Sequence, residues 1–199
     1  MLHRAVGPWS LPRLGFGEWA LSDNGRPSEA DAIALLHAAF DEGVRFVDTS
    51  DAYCLDESEF HHGELLVRAA IESYPAAEEL AAELVVATKG GCTRVGGGWA
   101  RDVSASHLSQ TIADSHQALW RGKRPIQLWQ LHWTQPLGDE AMAAILAPVA
   151  EAVAAGTILH VGLSNCNVAD IEAAAAALPH GCLVSVQNKY GLNERSAAY

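Results

Sequence analysis

Apolar runs that predict buried strands recur along this chain, separated by longer stretches in which apolar residues repeat at helical spacing. The strands are predicted at 12–19, 45–48, 83–88, 126–131, 158–163 and 183–187. Glycines in the first run indicate a close approach by another part of the molecule. Strands that are almost wholly apolar and alternate with helices are typical of a parallel sheet covered on both faces.

Capping residues predict where the intervening helices begin. Ser28, Ser104 and Asn167 each precede an amphipathic stretch, and Asp139 is the predicted cap of the helix before strand 158–163. Pro148 lies inside that last pattern, where it predicts a kink or a restart.

Two α/β architectures fit this alternation, a TIM-type (β/α)8 barrel and a doubly wound sheet. A doubly wound dinucleotide fold should carry G-x-G-x-x-G in its first strand-to-helix turn. Here Gly15 and Gly17 are followed by Glu18-Trp19-Ala20, without the third glycine. Polar residues instead follow several different strands, as they do in barrels. We therefore predict a barrel, in a single domain over residues 1–199.

Composition and charge narrow the classes of partner. The formal net charge is −11, which argues against a nucleic-acid partner. No apolar run reaches the ~18 residues of a membrane helix, and no apolar segment of a signal peptide follows Arg4. The four cysteines are dispersed, as reduced thiols are. These features predict a cytoplasmic protein without a membrane partner.

Four candidate catalytic residues follow strands. Asp48 ends strand 45–48, Tyr53 follows it, Lys89 ends strand 83–88, and His132 ends strand 126–131. Taken singly, each fits a structural role as a cap, a packing residue, a solvated charge or a core histidine. Together they supply what carbonyl reduction requires. Tyr53 would give a proton, Lys89 would lower the pKa of the phenol, Asp48 would hold the lysine, and His132 would orient the carbonyl oxygen.

Several motifs accompany this set in the same order along the chain. They are Gly43-x-Arg45-x-x-Asp48-Thr49-Ser50, Gly63-Glu64-x-Leu66, Leu131-His132-Trp133, Gly156-x-Ile158-x-x-Val161-Gly162-Leu163-Ser164-Asn165 and Val186-Gln187-Asn188-x-Tyr190. With these motifs the chain resembles the aldo-keto reductases over nearly all its length. The resemblance implies reduction of a small carbonyl substrate, an aldehyde or ketone, by NAD(P)H, with NADPH favoured over NADH and thus NADP as cofactor.

The resemblance also implies a cofactor site. In the family a Ser-Asn pair and a glutamine bind the nicotinamide carboxamide, an aromatic residue stacks on the ring, and the tryptophan after the first strand borders cofactor and substrate. The matching residues here are Trp19, Asp48, Ser164, Asn165, Gln187 and Tyr190. Trp99 and Trp133, near loops, are candidates for the substrate wall. Glu18 departs from the family, which commonly has a small hydroxyl residue at this position.

The family continues through a seventh and an eighth strand whose loops hold the cofactor phosphates. This chain shows about six βα units, so the resemblance implies an incomplete barrel without its C-terminal units. We expect weak dinucleotide binding, little discrimination between NADPH and NADH, and possible self-association through the open edge of the barrel.

Two other functions remain open at this point. The first is a catalytically weak or inactive truncated barrel that binds a nucleotide or a partner protein. The second is metal-dependent hydrolysis, but the histidines 61, 62, 107, 116 and 160 lie on different predicted faces. Zinc sites need three or four convergent ligands, so no metal site is predicted.

Overall fold

Six parallel strands form the central sheet of the computed structural model, which describes residues 2–134, 141–193 and 195. The strands are β1 (Phe16–Gly17), β2 (Phe46–Asp48), β3 (Val85–Gly90), β4 (Ile126–Leu131), β5 (Ile158–Ser164) and β6 (Leu183–Gln187). They are hydrogen-bonded in sequential order from β1 to β6. A doubly wound sheet reverses its order at a switch point. The sequential order is therefore that of a barrel.

Six α-helices connect these strands. They are α1 (Glu29–Asp41), α2 (His62–Glu72), α3 (Ala77–Glu83), α4 (Ala105–Trp120), α5 (Met142–Ala154) and α6 (Val168–Ala177). The predicted caps Ser28, Ser104 and Asn167 each accept a hydrogen bond from a backbone N–H of the first turn. The predicted cap Asp139 lies outside the described residues. Helix α5 continues through Pro148.

The predicted strand at 12–19 is only partly correct. Residues Trp9–Pro12 pair with His3–Val6 in an antiparallel hairpin, and only Phe16–Gly17 joins the sheet. Residues Trp19–Leu21 form a 3-10 turn instead of a strand. The expected close approach does occur, because a Cβ at Gly15 would lie 2.7 Å from the ring of Phe46.

The N-terminal hairpin lies against the beginnings of the last two strands. The rings of Trp9 and His160 meet edge to face with centroids 5.0 Å apart. Gly7 turns the hairpin at φ +53°, and a Cβ there would lie 2.8 Å from Val184 Cβ. The hairpin thus covers the end of the sheet opposite the carboxyl ends of its strands.

The apolar core lies between the helices and the outer face of the sheet, in two clusters. One joins α1, α2, α3 and the end of α4 to β2 and β3, and the other joins α5, α6 and the start of α4 to β4 and β5. Because side chains alternate along a strand, the inner face carries the intervening residues. In this way Val86 and Trp129 face the helices, while Lys89 and Gln130 face inward.

The sheet is curled, as a side-chain contact between distant strands demonstrates. Gln187 Nε2 on β6 donates to Asp48 Oδ1 on β2 at 2.9 Å, although three strands separate β6 from β2 in the sheet. This confirms the predicted α/β class with a barrel-like sheet. Within the described residues β1 and β6 each pair with one strand only, consistent with the predicted incomplete barrel. The count of six βα units and the single domain stay predictions.

No helix within the described ranges combines the length and the hydropathy that crossing a bilayer requires.

Candidate active site

The carboxyl ends of β2, β3 and β4 bring the four predicted catalytic residues together. Lys89 Nζ lies 2.6 Å from Asp48 Oδ2 and 2.8 Å from Tyr53 Oη. The rings of Tyr53 and His132 have centroids 5.8 Å apart. The strands thus deliver side chains that are distant in sequence to one point, as the alignment of strand ends predicted.

The ammonium group of Lys89 is fully engaged. It has three N–H donors, which reach Asp48 Oδ2, Tyr53 Oη and the backbone oxygen of Thr49 at 3.1 Å. The side chain is 1 % exposed. Because Lys89 has no acceptor, Tyr53 Oη must accept in this pair. The hydroxyl proton of Tyr53 is then free to point towards another group.

The electrostatics of Tyr53 differ from the expectation that Lys89 lowers its pKa. Burial raises the pKa of Tyr53 far above its ordinary value, and the carboxylates of Asp48 and Glu18 raise it further. Burial also lowers the pKa of Lys89, against the attraction of Asp48. Since two acids and only one ammonium surround the phenol, Tyr53 rests in its protonated form, which is the form of a proton donor.

His132 is a neutral imidazole in this environment. It is 6 % exposed. Burial lowers its pKa to about 3, and the charge of Lys89 contributes to the same shift. Its Nδ1 lies 3.3 Å from Ser50 Oγ. A neutral imidazole can offer a carbonyl oxygen a hydrogen bond but is a poor source of a proton.

A cavity of about 550 Å³ opens over these residues. It is lined by Trp19, Tyr53, Lys89, Trp99, His132, Trp133, Ser164, Asn165, Gln187, Asn188 and Lys189. Trp19 stacks on Tyr53 with ring centroids 6.3 Å apart, and Trp99 meets His132 edge to face at 5.4 Å. The two tryptophans predicted as wall candidates, Trp99 and Trp133, both line this cavity.

Trp99 reaches the cavity from the loop between β3 and α4. A small antiparallel hairpin, Cys92–Thr93 with Ala100–Arg101, brackets this loop. The guanidinium of Arg94 lies 4.4 Å from the centroid of the Trp99 ring and is itself 2 % exposed. A buried cation behind the indole restricts the orientation of this wall.

Three of the predicted cofactor residues lie together at the ends of β5 and β6. Asn165 adopts φ +53°, which asparagine tolerates better than most residues. Its Nδ2 donates to the backbone oxygen of His132 at 3.0 Å and to Ser164 Oγ at 3.1 Å. With Gln187 Nε2 on Asp48, Gln187 Oε1 and Asn165 Oδ1 remain as acceptors and the Ser164 hydroxyl as a donor. A primary carboxamide has two N–H donors and one acceptor, so this set fits the nicotinamide group.

The structure does not bring Tyr190 to the other cofactor residues. Tyr190 is 67 % exposed and is not among the residues that line the cavity. The neighbouring Asn188 is anchored instead, because its side chain exchanges two hydrogen bonds of 2.9 Å with the backbone of Cys166.

Sequence reasoning missed Gln130 as a residue of this site. Gln130 Nε2 donates to Asp48 Oδ1 at 3.1 Å. The available signal was a glutamine two positions before His132 and so on the same face, in a strand whose other polar residue is Gln127.

Glu18 was noted only as a departure from the family. It is fully buried, and its two oxygens accept hydrogen bonds from the hydroxyls of Ser22 and Thr49. Burial raises its pKa to about 7, and Lys89 and the two hydroxyls oppose that rise. Its type and position gave no indication of burial, which depends on how the first strand folds against β2.

Across 2–134, 141–193 and 195, no three or more His, Cys, Asp or Glu side chains are grouped so as to hold a metal ion.

Comparison with known proteins places this geometry in a family. A 6-dehydroglucose reductase from Novosphingobium aromaticivorans is 35 % identical over 153 residues, which are 76 % of this chain and 47 % of that protein. An uncharacterised oxidoreductase of Schizosaccharomyces pombe is 34 % identical over 197 residues, which are 96 % of this chain and 58 % of that protein. The chain spans about half the length of the curated relatives that it matches.

A solved structure has the same fold. The glycerol dehydrogenase from Gluconobacter oxydans superposes with a TM-score of 0.80 at 25 % identity, over 98 % of this chain and 57 % of that chain. The family model described as the aldo/keto reductase family matches residues 13–198. The chain whose strand ends gather Asp48, Tyr53, Lys89 and His132 therefore belongs to the aldo/keto reductase family.

Proposed function

We propose that this chain carries the active site of an NAD(P)H-dependent reductase of aldehydes or ketones, with Tyr53 as the proton donor. One observation carries the proposal. Lys89 uses its three N–H donors in hydrogen bonds to Asp48, Thr49 and Tyr53. The phenol oxygen therefore accepts from the lysine, and its own proton can point into the cavity. The names of the reductase and the dehydrogenase among its relatives agree with hydride transfer.

The residues would divide the reaction as follows. Tyr53 transfers its proton to the carbonyl oxygen, and Lys89 stabilises the phenolate that develops. Asp48 keeps Lys89 charged and in place, and its other oxygen is held by Gln130 and Gln187. His132 donates a hydrogen bond that orients the carbonyl. Bound NAD(P)H would supply the hydride.

Ser164, Asn165 and Gln187 would hold the nicotinamide end of the cofactor in the cavity that Trp19 also lines. Asp48 would act on this end through Gln187, whose Nε2 donates to it. NADPH in preference to NADH follows from the family resemblance. Stacking of Tyr190 on the nicotinamide stays a prediction of the sequence, since Tyr190 is not among the residues that line this cavity. A cytoplasmic location, the lack of a nucleic-acid partner and self-association through a barrel edge stay predictions of the sequence.

Tyr53→Phe in the full-length protein tests this assignment. We expect turnover of NADPH with an aldehyde to fall by about 10²–10⁴, since general acid catalysis contributes that much. Binding of NADPH, followed by its fluorescence, should be unchanged. The matched control is Tyr74→Phe. The hydroxyl of Tyr74 donates to Asp41 Oδ1 at a distance of 2.7 Å, and neither residue lines the cavity.

Two results would contradict the proposal. The first is turnover by Tyr53→Phe at the parental rate. The second is a parent protein that binds NADPH yet reduces none of a broad panel of aldehydes and ketones, which would favour a binding function.

A further inference from the structure

Ser50 lies beside Nδ1 of His132 and Asp51 lies beside Ser50, and neither is among the residues that line the cavity. Both are fully buried. Ser50 Oγ lies 3.3 Å from His132 Nδ1 and 3.0 Å from Asp51 Oδ1. The proposed reaction assigns neither of them a role. They form a continuous polar path from the imidazole into the core.

We propose that Asp51 is a protonated carboxyl group which, through Ser50, fixes His132 in the tautomer that carries its proton on Nε2. Asp51 and Ser50 are then positioning residues for the imidazole. The benefit to carbonyl reduction rests on the proposed function, whereas the tautomer itself can be observed without turnover.

The surroundings of Asp51 favour its neutral form. Asp51 Oδ2 has no hydrogen-bond partner among the described residues. An ionised carboxylate there would be a buried charge with one oxygen unpaired, which is costly. A protonated carboxyl group needs a partner only for its O–H, and Ser50 Oγ at 3.0 Å is that partner.

The charges around Asp51 also favour its neutral form. Glu64 on α2 accepts from Thr88 at 2.5 Å and pairs with His61 Nδ1 at 2.6 Å. Although burial opposes it, Glu64 raises the pKa of His61, so the ion pair in this region is His61 with Glu64. Burial raises the pKa of Asp51 well above its ordinary value, and Glu64 adds to the rise. The charge of His61 and the contacts of the Asp51 carboxyl group with Ser50 and the Ala52 N–H oppose this rise. Lys89, a cation whose charge interacts with Asp51, is already paired with Asp48.

The hydrogen bonds around Ser50 then determine the tautomer. Ser50 Oγ accepts from the Ala52 N–H at 3.2 Å and from the Asp51 O–H, which uses both of its lone pairs. Its own proton can go to His132 Nδ1 at 3.3 Å or to the Lys89 carbonyl at 3.4 Å. The carbonyl already accepts from the Asp51 N–H at 3.2 Å. His132 Nδ1 is the nearer acceptor and takes the hydrogen bond from Ser50, so the neutral ring bears its own hydrogen on Nε2.

The opposite arrangement follows if Asp51 ionises. Ser50 would donate to the carboxylate, and His132 would donate from Nδ1–H to Ser50. Nε2 would then be a bare acceptor, which repels a carbonyl oxygen. The protonation of Asp51 thus decides whether His132 attracts or repels the substrate oxygen.

Nitrogen NMR of full-length protein labelled in its histidines tests the tautomer directly. The chain has nine histidines, and a His132→Gln spectrum identifies the signals of His132. We expect the parent to show hydrogen on Nε2 and none on Nδ1 at neutral pH. A parent with its hydrogen on Nδ1 would overturn the proposal, whatever the activity of the protein.

Two variants separate this role from simple packing. Ser50→Ala removes the donor to Nδ1, and we expect Nδ1–H to appear and kcat to fall about tenfold, with the affinity for NADPH unchanged. Asp51→Asn keeps a donor, because its amide N–H can replace the carboxyl O–H. We expect it to retain the Nε2–H tautomer and kcat within about threefold of the parent. A loss in Asp51→Asn as large as in Ser50→Ala would overturn the proposal, since it would mean that Asp51 acts as a carboxylate.

Discussion

Glu18 connects the first strand to the catalytic residues through a single threonine. Thr49 Oγ1 donates to Glu18 Oε2 at 3.0 Å, while the backbone oxygen of Thr49 accepts from Lys89 Nζ at 3.1 Å. Glu18 is fully buried, and burial raises its pKa from 4.5 to about 7. A carboxyl group in this setting makes the stability of the fold depend on pH.

The direction of this dependence follows from proton binding. The folded state keeps the Glu18 proton up to about pH 7, whereas the unfolded state releases it near 4.5. The unfolded state therefore binds fewer protons in this window, and the contribution of Glu18 lowers the unfolding free energy as pH rises. The total loss is roughly 3 kcal/mol for a shift of this size. We expect Glu18→Gln to unfold at higher urea concentration than the parent at pH 8, with a much smaller difference at pH 5.

Glu172→Gln is the matched control, since this exposed helix residue makes the same change of charge. It should leave the difference between pH 5 and pH 8 as in the parent. Equal pH dependence in Glu18→Gln and the parent would mean that Glu18 is ionised and compensated in the folded state.

Single residues at strand ends were predictable, whereas their partners were not. Asp48 and His132 could be placed because a strand and its carboxyl end can be read locally. Gln130 and Asp48 are 82 positions apart, and their hydrogen bond exists only once the sheet is curled. Ser50 and His132, whose side chains are in hydrogen-bond contact, are also 82 positions apart. Pairing of this kind depends on the tertiary fold and leaves no periodic pattern in the sequence.

At the scale of elements, the indole of Trp129 on β4 packs closely against the last residue of β3, which is glycine. A Cβ at Gly90 would lie 2.7 Å from Cζ2 of the fully buried Trp129. We expect Gly90→Ala to lower the unfolding free energy by about 1–3 kcal/mol, which is the usual effect of overpacking a core. Urea denaturation measures the change.

The control is Gly17→Ala on β1, where a Cβ would meet no atom within 4 Å. It should leave stability within about 0.5 kcal/mol of the parent, as substitutions without new contacts usually do. If the two alanine variants were equally stable, the indole of Trp129 would have to be able to shift.

Strands and helices with a clear hydrophobic periodicity or a clear N-cap residue were predicted well. The strands at 126–131 and 183–187 have the bounds predicted for them. Helix α3 was missed because it has only seven residues and its N-cap, Ala76, makes no side-chain hydrogen bond. The hairpin of residues 3–12 was missed because its pairing depends on the register of two short strands of mixed polarity.

At the scale of the whole molecule, the two ends of the sheet have separate tasks. The N-terminal hairpin packs at the starts of the strands, and the cavity lies at their carboxyl ends. We expect Trp9→Ala to lower the unfolding free energy by about 1–3 kcal/mol, because it removes the contact with His160. In the folded fraction, kcat and the affinity for NADPH should equal those of the parent.

Thermal unfolding and kinetics of the same Trp9→Ala preparation provide the check. A fall in kcat at temperatures where the variant is fully folded would show that the hairpin influences the cavity, and that the two ends are not independent.

Asn165 has a consequence for how ligands would influence one another. Its side-chain amide donates to the backbone oxygen of His132, and its backbone N–H donates to the backbone oxygen of Gln187 at 2.9 Å. A ligand that binds Asn165 Oδ1 and shifts this amide would also shift the backbone of His132 to which Nδ2 is bonded. Occupancy of one half of the cavity and the orientation of the imidazole in the other half are therefore linked. Such a linkage is reciprocal. If the cofactor changes the affinity for a carbonyl compound bound at His132 by some factor, that compound changes the affinity for the cofactor by the same factor.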